Sequence, residues 1–495
     1  MSSLFFTAGR VWAMVVLLTA LGFAQSANRL MWSSYVSGGR FDAATAVIPN
    51  ADGTIWVGGT SSSGNDSPLP DTAFQVSPKG GREIFLAKYQ PQADGTTRLL
   101  YWTWIGGSGD DELRAMTIDN RGRIYLTGTT TSSDYPLAAT PAQTSNNGGT
   151  NDIFVSVIDS NVVGEFAMLY STYYGGAAVD VPNAIAVAPD RQIVVAGYTT
   201  SEDFPKATSG LQGNSRGGWD TFLVRLNPDN SDAYATYLGG NKTDVATGLA
   251  VLPSGVILMS GYTASDDFPA TTDGSQTFLN GAFDGFLVEI DLRRSGLDAL
   301  RYGTYLGASG SDLPTTMRLA ADGSIWLAGH TTSVNLPTSS TSVQRSFGGN
   351  VDGFAMRLNA AIPHTVEYAT YFGGPGFEVA QNFALLPGGR FALVGYTMFG
   401  GLPVAGGPLR NSPASGFADA FVAVGGATGT LEYATYLGGT FLDVASAVAP
   451  SPDGNLVVAG YTTSVDLPVT DGSRQTNSAP LPAGFVVKLR TAPQP

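Results

Sequence analysis

Seven tandem copies of one pattern predict an all-β chain, a seven-bladed β-propeller of four-stranded antiparallel blades. Three observations carry that prediction. The motif Tyr-x-Thr-aromatic-apolar-Gly-Gly returns every 64 to 69 residues. Each copy holds four short runs of β-branched and aromatic residues. Turns rich in Gly, Pro and Asp divide those runs.

The motif reads YWTWIGG from Tyr101, YSTYYGG from Tyr170, YATYLGG from Tyr234 and YGTYLGA from Tyr302. YATYFGG follows from Tyr368 and YATYLGG from Tyr433, and a degenerate copy, WSSYVSGG, begins at Trp32. The second run enters at an acid, as in VATGLAVL from Val245 after Asp244. A tight turn carries Gly53, Gly122, Gly255, Gly323, Gly389 and Gly454, with Arg191 as the exception. The third run, such as QIVVAGYT or NLVVAGYT, is apolar almost throughout, as a strand covered on both faces should be. The fourth centres on Phe85, Phe154, Phe222, Phe286, Phe354, Phe421 and Phe485. A superhelical β-solenoid is the competing architecture, but its coils are far shorter than these copies.

The copies exceed an ordinary four-stranded blade by about 20 residues, and the excess lies in one loop. From the Pro after the third run to the Phe of the fourth is 15 to 18 residues. Blades are expected to be offset from the copies. The strand at Trp32 would then pair with residues 484–489 and close the ring, hiding two aggregation-prone edges.

The strings YATYLGG, DGNLVVAGYTTS, AFQVSPKGG and GFVVKL resemble the bacterial SBBP family, the seven-bladed β-propeller repeat. The resemblance covers all seven copies and implies a scaffold and export without implying a substrate. The first copy departs from it with Trp32 for Tyr and Glu83 for Asp, the last with Ala483 for Asp.

Arg10 precedes an apolar run from Val11 to Ala24 and the small residues Ala24-Gln25-Ser26-Ala27. This is the layout of a cleavable signal peptide, so residues 1–26 are expected to be a leader and 27–495 one propeller domain. No second such run follows, so no transmembrane span is expected in the mature chain. The expected location is the periplasm, the cell surface or the medium, and the expected state a monomer.

A net charge of −14 with no Lys/Arg cluster excludes a nucleic acid partner, which would be repelled at long range. Absence of Cys excludes disulfides, thiolate metal sites and thiol nucleophiles.

One acid recurs in every copy: Asp42, Asp111, Asp180, Asp244, Asp312, Glu378 and Asp443. Its expected partner is the Thr ending the third run: Thr60, Thr130, Thr199, Thr263, Thr331, Thr397 and Thr462. The separation is 18 residues in the first copy and 19 in the others, with the turn at its midpoint. Acid and Thr should therefore face each other across a hairpin. Two readings follow: a carboxylate ring at the channel mouth that binds Ca²⁺ or a basic ligand, or solvated, hydrogen-bonded ties holding the blade ends. Bare charges about 10 Å apart repel by roughly 0.4 kcal/mol in water, which such ties can bear without metal. The second reading is preferred, so no cofactor is expected, with Ca²⁺ as the alternative that the first reading carries.

What repeats seven times belongs to the fold, so function is sought where copies differ. Trp219 and Phe283 precede the fourth-run Asp, where other copies have Arg82, Asn151, Val351, Ala418 and Pro482. They are candidate ligand-face aromatics. His330 and His364 stand at unrelated places and make no metal site. The expected function is a non-catalytic scaffold binding a protein or glycan, with no catalytic residue. The alternative is a polysaccharide hydrolase or lyase with an acidic site at the channel mouth. A quinoprotein dehydrogenase would need a cofactor segment that the sequence does not offer.

Overall fold

The computed structural model describes residues 29–491, apart from 37–39, 66–67, 93, 206–209, 230–232, 415, 427 and 471–481. The expected leader at 1–26 lies outside the described residues. Among the described residues, twenty-eight strands form seven four-stranded antiparallel sheets. Six sheets are continuous in sequence: blade I (42–105), II (111–174), III (180–238), IV (244–306), V (312–372) and VI (377–437). Blade VII takes three strands from 443–489 and its fourth from the other end of the chain, Leu30–Val36. That strand pairs Leu30 with Leu489, Tyr35 with Phe485 and Val36 with Gly484, which is the closure the offset copies call for. The short helical turns are 3₁₀, and no helix among the described residues is long and apolar enough to cross a membrane.

In each blade the strand that begins at the repeated acid is innermost, and successive innermost strands touch around the ring. The third-run strands are buried almost end to end, for example Ile193–Thr199 and Ile257–Thr263. Each core cluster joins two neighbouring blades, so the apolar energy holds blade to blade.

Every innermost strand carries a β-bulge at the same place, at Thr45, Arg114, Asn183, Thr247, Thr315, Gln381 and Ser446. The bulge swings a carbonyl against the neighbouring strand. A Cβ on Gly197 would lie 2.0 Å from the Val181 carbonyl oxygen, and one on Gly261 1.9 Å from that of Val245. Only Gly fits there, which explains the Gly of the AGYT and SGYT strings. At the opposite ends the hairpin Gly residues hold φ from 73° to 83°, and Arg191 adopts φ 71° in their place.

Candidate functional site

The links into the innermost strands and the long loops share one face of the ring. The YxTY motif is what folds those loops down. In blade III the Thr236 hydroxyl accepts from the Gln212 amide at 3.0 Å. Tyr237 donates to the Ser201 carbonyl at 2.6 Å and accepts from the Phe204 amide at 3.1 Å. Tyr173, Tyr305 and Tyr371 repeat this in their blades. Tyr35 of the closing strand does the same in blade VII, reaching Ser464 at 2.9 Å and Leu467 at 3.1 Å.

The repeated acids are buried, at 0–1% exposure, instead of solvated as the sequence reading expected. Burial is affordable because donors converge on them. Thr199 donates to Asp180 at 2.5 Å, Thr331 to Asp312 at 2.6 Å and Thr397 to Glu378 at 2.7 Å. Thr263 and Thr462 donate to Asp244 and Asp443. A second oxygen accepts a backbone N–H, from Gly240 to Asp244 at 2.7 Å, and a Ser hydroxyl, from Ser265 at 2.9 Å. Asp111 pairs with Thr130 in register and accepts from Gly107 and Ser132, both at 2.8 Å.

Blade I departs from the expected pairing. Asp42 stands opposite Ser61, and Thr60 stands opposite Ala43. Thr60 occupies the place of Tyr198 and Tyr262 in other blades, and its hydroxyl accepts from the Leu113 amide of blade II at 3.0 Å. Aligning the copies on Gly59 and Gly197 instead of on Thr would have shown that the separation is 19 in every copy.

Sequence reasoning placed an acid at the head of the fourth run but gave it no role; Glu83, Asp152, Asp220, Asp284, Asp352 and Asp419 form a second buried set, each at the start of its blade's third strand. They accept loop amides: Gly217 to Asp220 at 3.1 Å, Asn280 to Asp284 at 2.7 Å, Gly348 to Asp352 at 2.8 Å. Gln75, Gln276 and Gln344 add side-chain donors at 2.7 to 3.1 Å. Each acid neighbours the first acid of the next blade, and the first Gly of the GG pair separates them. A Cβ on Gly239 would lie 2.7 Å from both Asp220 and Asp244, and one on Gly175 2.6 and 2.7 Å from Asp152 and Asp180. The recurring Gln, eight residues before the acid in most copies, was the available signal.

Burial, the largest cause, pushes Asp152, Asp180, Asp244, Asp352 and Asp443 up to about 6. Paired carboxylates push in the same direction, Asp180 on Asp152 and Glu378 on Asp352. Among the described residues, no three His, Cys, Asp or Glu side chains gather as a metal centre would require. N–H and O–H donors cap Asp180, Asp244 and Asp443, whereas both oxygens of Asp152 are buried without a hydrogen-bond partner.

Between blades the backbone repeats a clamp. The amide of each repeated acid donates to the carbonyl of the residue before the preceding blade's third strand. These bonds run from Asp111 to Arg82, Asp180 to Asn151, Asp244 to Trp219, Asp312 to Phe283, Glu378 to Val351, Asp443 to Ala418 and Asp42 to Pro482, at 2.7 to 3.0 Å. Seven different side chains thus ride on one fixed backbone position. Trp219 is 42% exposed and stacks on Tyr198, with ring centroids 4.6 Å apart. Phe283 is half-buried, with its ring edge-on to Tyr262. Phe278, Phe399, Phe417 and Phe441 add exposed rings on the same face, from 57% to 78%.

The histidines do not join this site. His330 is half-buried in the Tyr262 position, and burial holds its pKa down. His364 is buried, 3.1 Å from Glu289, against the edge of Tyr302. On the opposite face, short hairpins leave a cavity of about 660 Å³ between blades V and VI, floored by Trp326, Tyr368 and Phe391. Its arginines are already paired, Arg357 with Asp322 at 2.9 Å and Arg390 with Glu432 at 2.6 Å.

A model of the SBBP beta-propeller repeat matches residues 102–136, across blades I and II. The chain is 24% identical over 310 residues to the regulatory protein FlaEY of Caulobacter vibrioides, a match covering 59% of this chain. It spans 30% of the length of that relative. Among solved structures it is similar to Sqt1 from Chaetomium thermophilum, with TM-score 0.40, 10% identity and coverage of 92% of this chain and 98% of the other. It is also similar to a puromycin hydrolase, with TM-score 0.35, 14% identity and coverage of 90% and 62%. With seven four-stranded blades and a ring closed by the strand Leu30–Val36, the chain is a seven-bladed β-propeller that carries a match to the SBBP beta-propeller repeat at residues 102–136.

Proposed function

We propose that this propeller is a non-catalytic binding scaffold, working outside the cytoplasm and holding a protein or glycan on its loop-bearing face. The observation that carries the reading is the interblade clamp, which fixes the backbone at seven points while the side chains differ at each. Recognition residues on loops braced by a rigid frame follow the same logic. Trp219 and Phe283 sit at successive clamp positions, and an exposed, pre-stacked ring suits either a sugar face or a protein hot spot. The paired carboxylates support the non-catalytic reading, since at 0–1% exposure they lie beyond reach of a polysaccharide. The similarity to a protein named as regulatory accords with it.

The test is a glycan array and an envelope pull-down with the parent chain, repeated with Trp219→Ala and Phe283→Ala combined. Binding by the parent should fall at least ten-fold in the double variant. Unchanged affinity, together with loss of binding on substitution in the opposite-face hairpins, would place the ligand on the wrong side for this proposal.

A further inference from the structure

The innermost strands enclose a central cavity of about 190 Å³. In a chain of net charge −14, the charged residues lining that cavity are two arginines, Arg114 and Arg318, and no carboxylate lines it among the described residues. The remaining lining is small, apolar or neutral, including Asn183, Asn382, Thr247 and Thr315.

Much of that neutral polar lining is already committed. Asn183 donates to the Ala246 carbonyl at 2.9 Å and Thr247 to the Pro314 carbonyl at 2.7 Å. Thr315 donates to the Ala380 carbonyl at 3.1 Å and Asn382 to the Ser446 carbonyl at 3.2 Å. These bonds pass from blade to blade and engage the Thr hydroxyls and one N–H of each Asn amide, leaving the guanidinium groups to set the electrostatics of the bore.

Arg318 is held by neutral groups alone. Nη1 donates to Thr316 Oγ1 at 2.8 Å and to the Met317 carbonyl at 2.9 Å, and Nη2 to Asn382 Oδ1 at 2.9 Å. It makes no ion pair with a carboxylate among the described residues, whereas Arg357 and Arg390 in the outer groove do. Desolvation lowers its pKa. Arg114, at the bulge of blade II, is exposed within the bore, and its one carboxylate, Glu112 at 3.5 Å, is shared with Arg82. Arg318 is half-buried, and a cation partly withdrawn from water without a counter-charge is costly, a cost that an anion drawn from solvent lowers. The planar guanidinium also presents paired donors that match an oxyanion. The cavity has several times the volume of a water molecule, about 30 Å³.

We propose that the central cavity is a binding site for one small oxyanion, held by Arg318 with Arg114 on the same bore. The shared chemistry is a compact, multiply oxygenated anion, and inorganic phosphate and sulfate are the probes. The full chain is titrated with each at pH 7.5, with NaCl at equal ionic strength as control, reading melting temperature and binding heat. A saturable rise beyond the chloride control is expected. Arg318→Gln should weaken the apparent affinity at least ten-fold, and Arg114→Gln several-fold. Arg114 is exposed, so its variant stays folded and decides the matter if Arg318→Gln does not fold. No saturable response above chloride overturns the proposal, as does parental affinity in Arg114→Gln, or in a folded Arg318→Gln.

Discussion

Blades IV and VII do the same job from different materials. Blade IV is one continuous stretch whose Thr263 lies between two buried acids, Asp244 and Asp284, across adjacent strands. Blade VII borrows its outer strand from the far end of the chain, and Thr462 lies between Asp443 and Ala483. The start of its loop, at Ser464 and Leu467, is nevertheless tied down in the same way, with Tyr35 standing in for Tyr305. The difference separates what a blade requires from what it tolerates. A fourth strand carrying the loop-anchoring aromatic is required whatever its place in sequence, and the second acid is dispensable.

The largest expected effect comes from removing the borrowed strand. Deleting Leu30–Val36 exposes the edge of Ala483–Leu489 along its whole length and strips Tyr35 from its core cluster. The deletion variant should aggregate or melt far below the parent. Thermal melting and light scattering would show it, and a variant as stable as the parent would break the equivalence of the two blades.

Substitution at the first acid comes next. Asp244→Ala strands the donors of Thr263, Ser265 and Gly240 and should cost about 1–3 kcal/mol in chemical denaturation. Asp244→Asn keeps an accepting oxygen and should cost less. Equal losses in the two variants would show that charge, not acceptance of hydrogen bonds, is what the site needs.

The smallest effect tests whether the second acid is dispensable. Asp152 and Asp180 have folded pKa values raised to about 6 from an ordinary 3.8, chiefly by burial. The native state therefore holds protons that the unfolded chain has released. Stability contributed by these groups is full below about 4 and falls as pH rises through about 6. Asp152→Asn removes one of the two buried charges, so it should stabilise on the order of 1 kcal/mol at pH 7.5 and change little at pH 4. Urea titrations at the two pH values would read this, and a variant destabilised equally at both would reverse the argument.

The repeat made most of this architecture legible in one dimension. Strand number, blade number and offset closure follow from periodic spacing and from the degenerate copy at Trp32, because each copy must fold alike to share one core. The acid and its Thr were legible as a pair for the same reason, and failed only in blade I, where Thr60 stands one place early and Ser61 takes the facing position. Sequence could not show that the acids are buried, because burial comes from the loop folding over them. The second acids likewise needed the ring, since Asp220 meets Asp244 only where blade III touches blade IV. Arg114 and Arg318 lie far apart in sequence, and nothing in the repeat pattern singles them out. Only closing seven inner strands around an axis brings them to one cavity with no carboxylate lining it among the described residues. Local pattern determined the blades, and ring geometry decided which charges face one another.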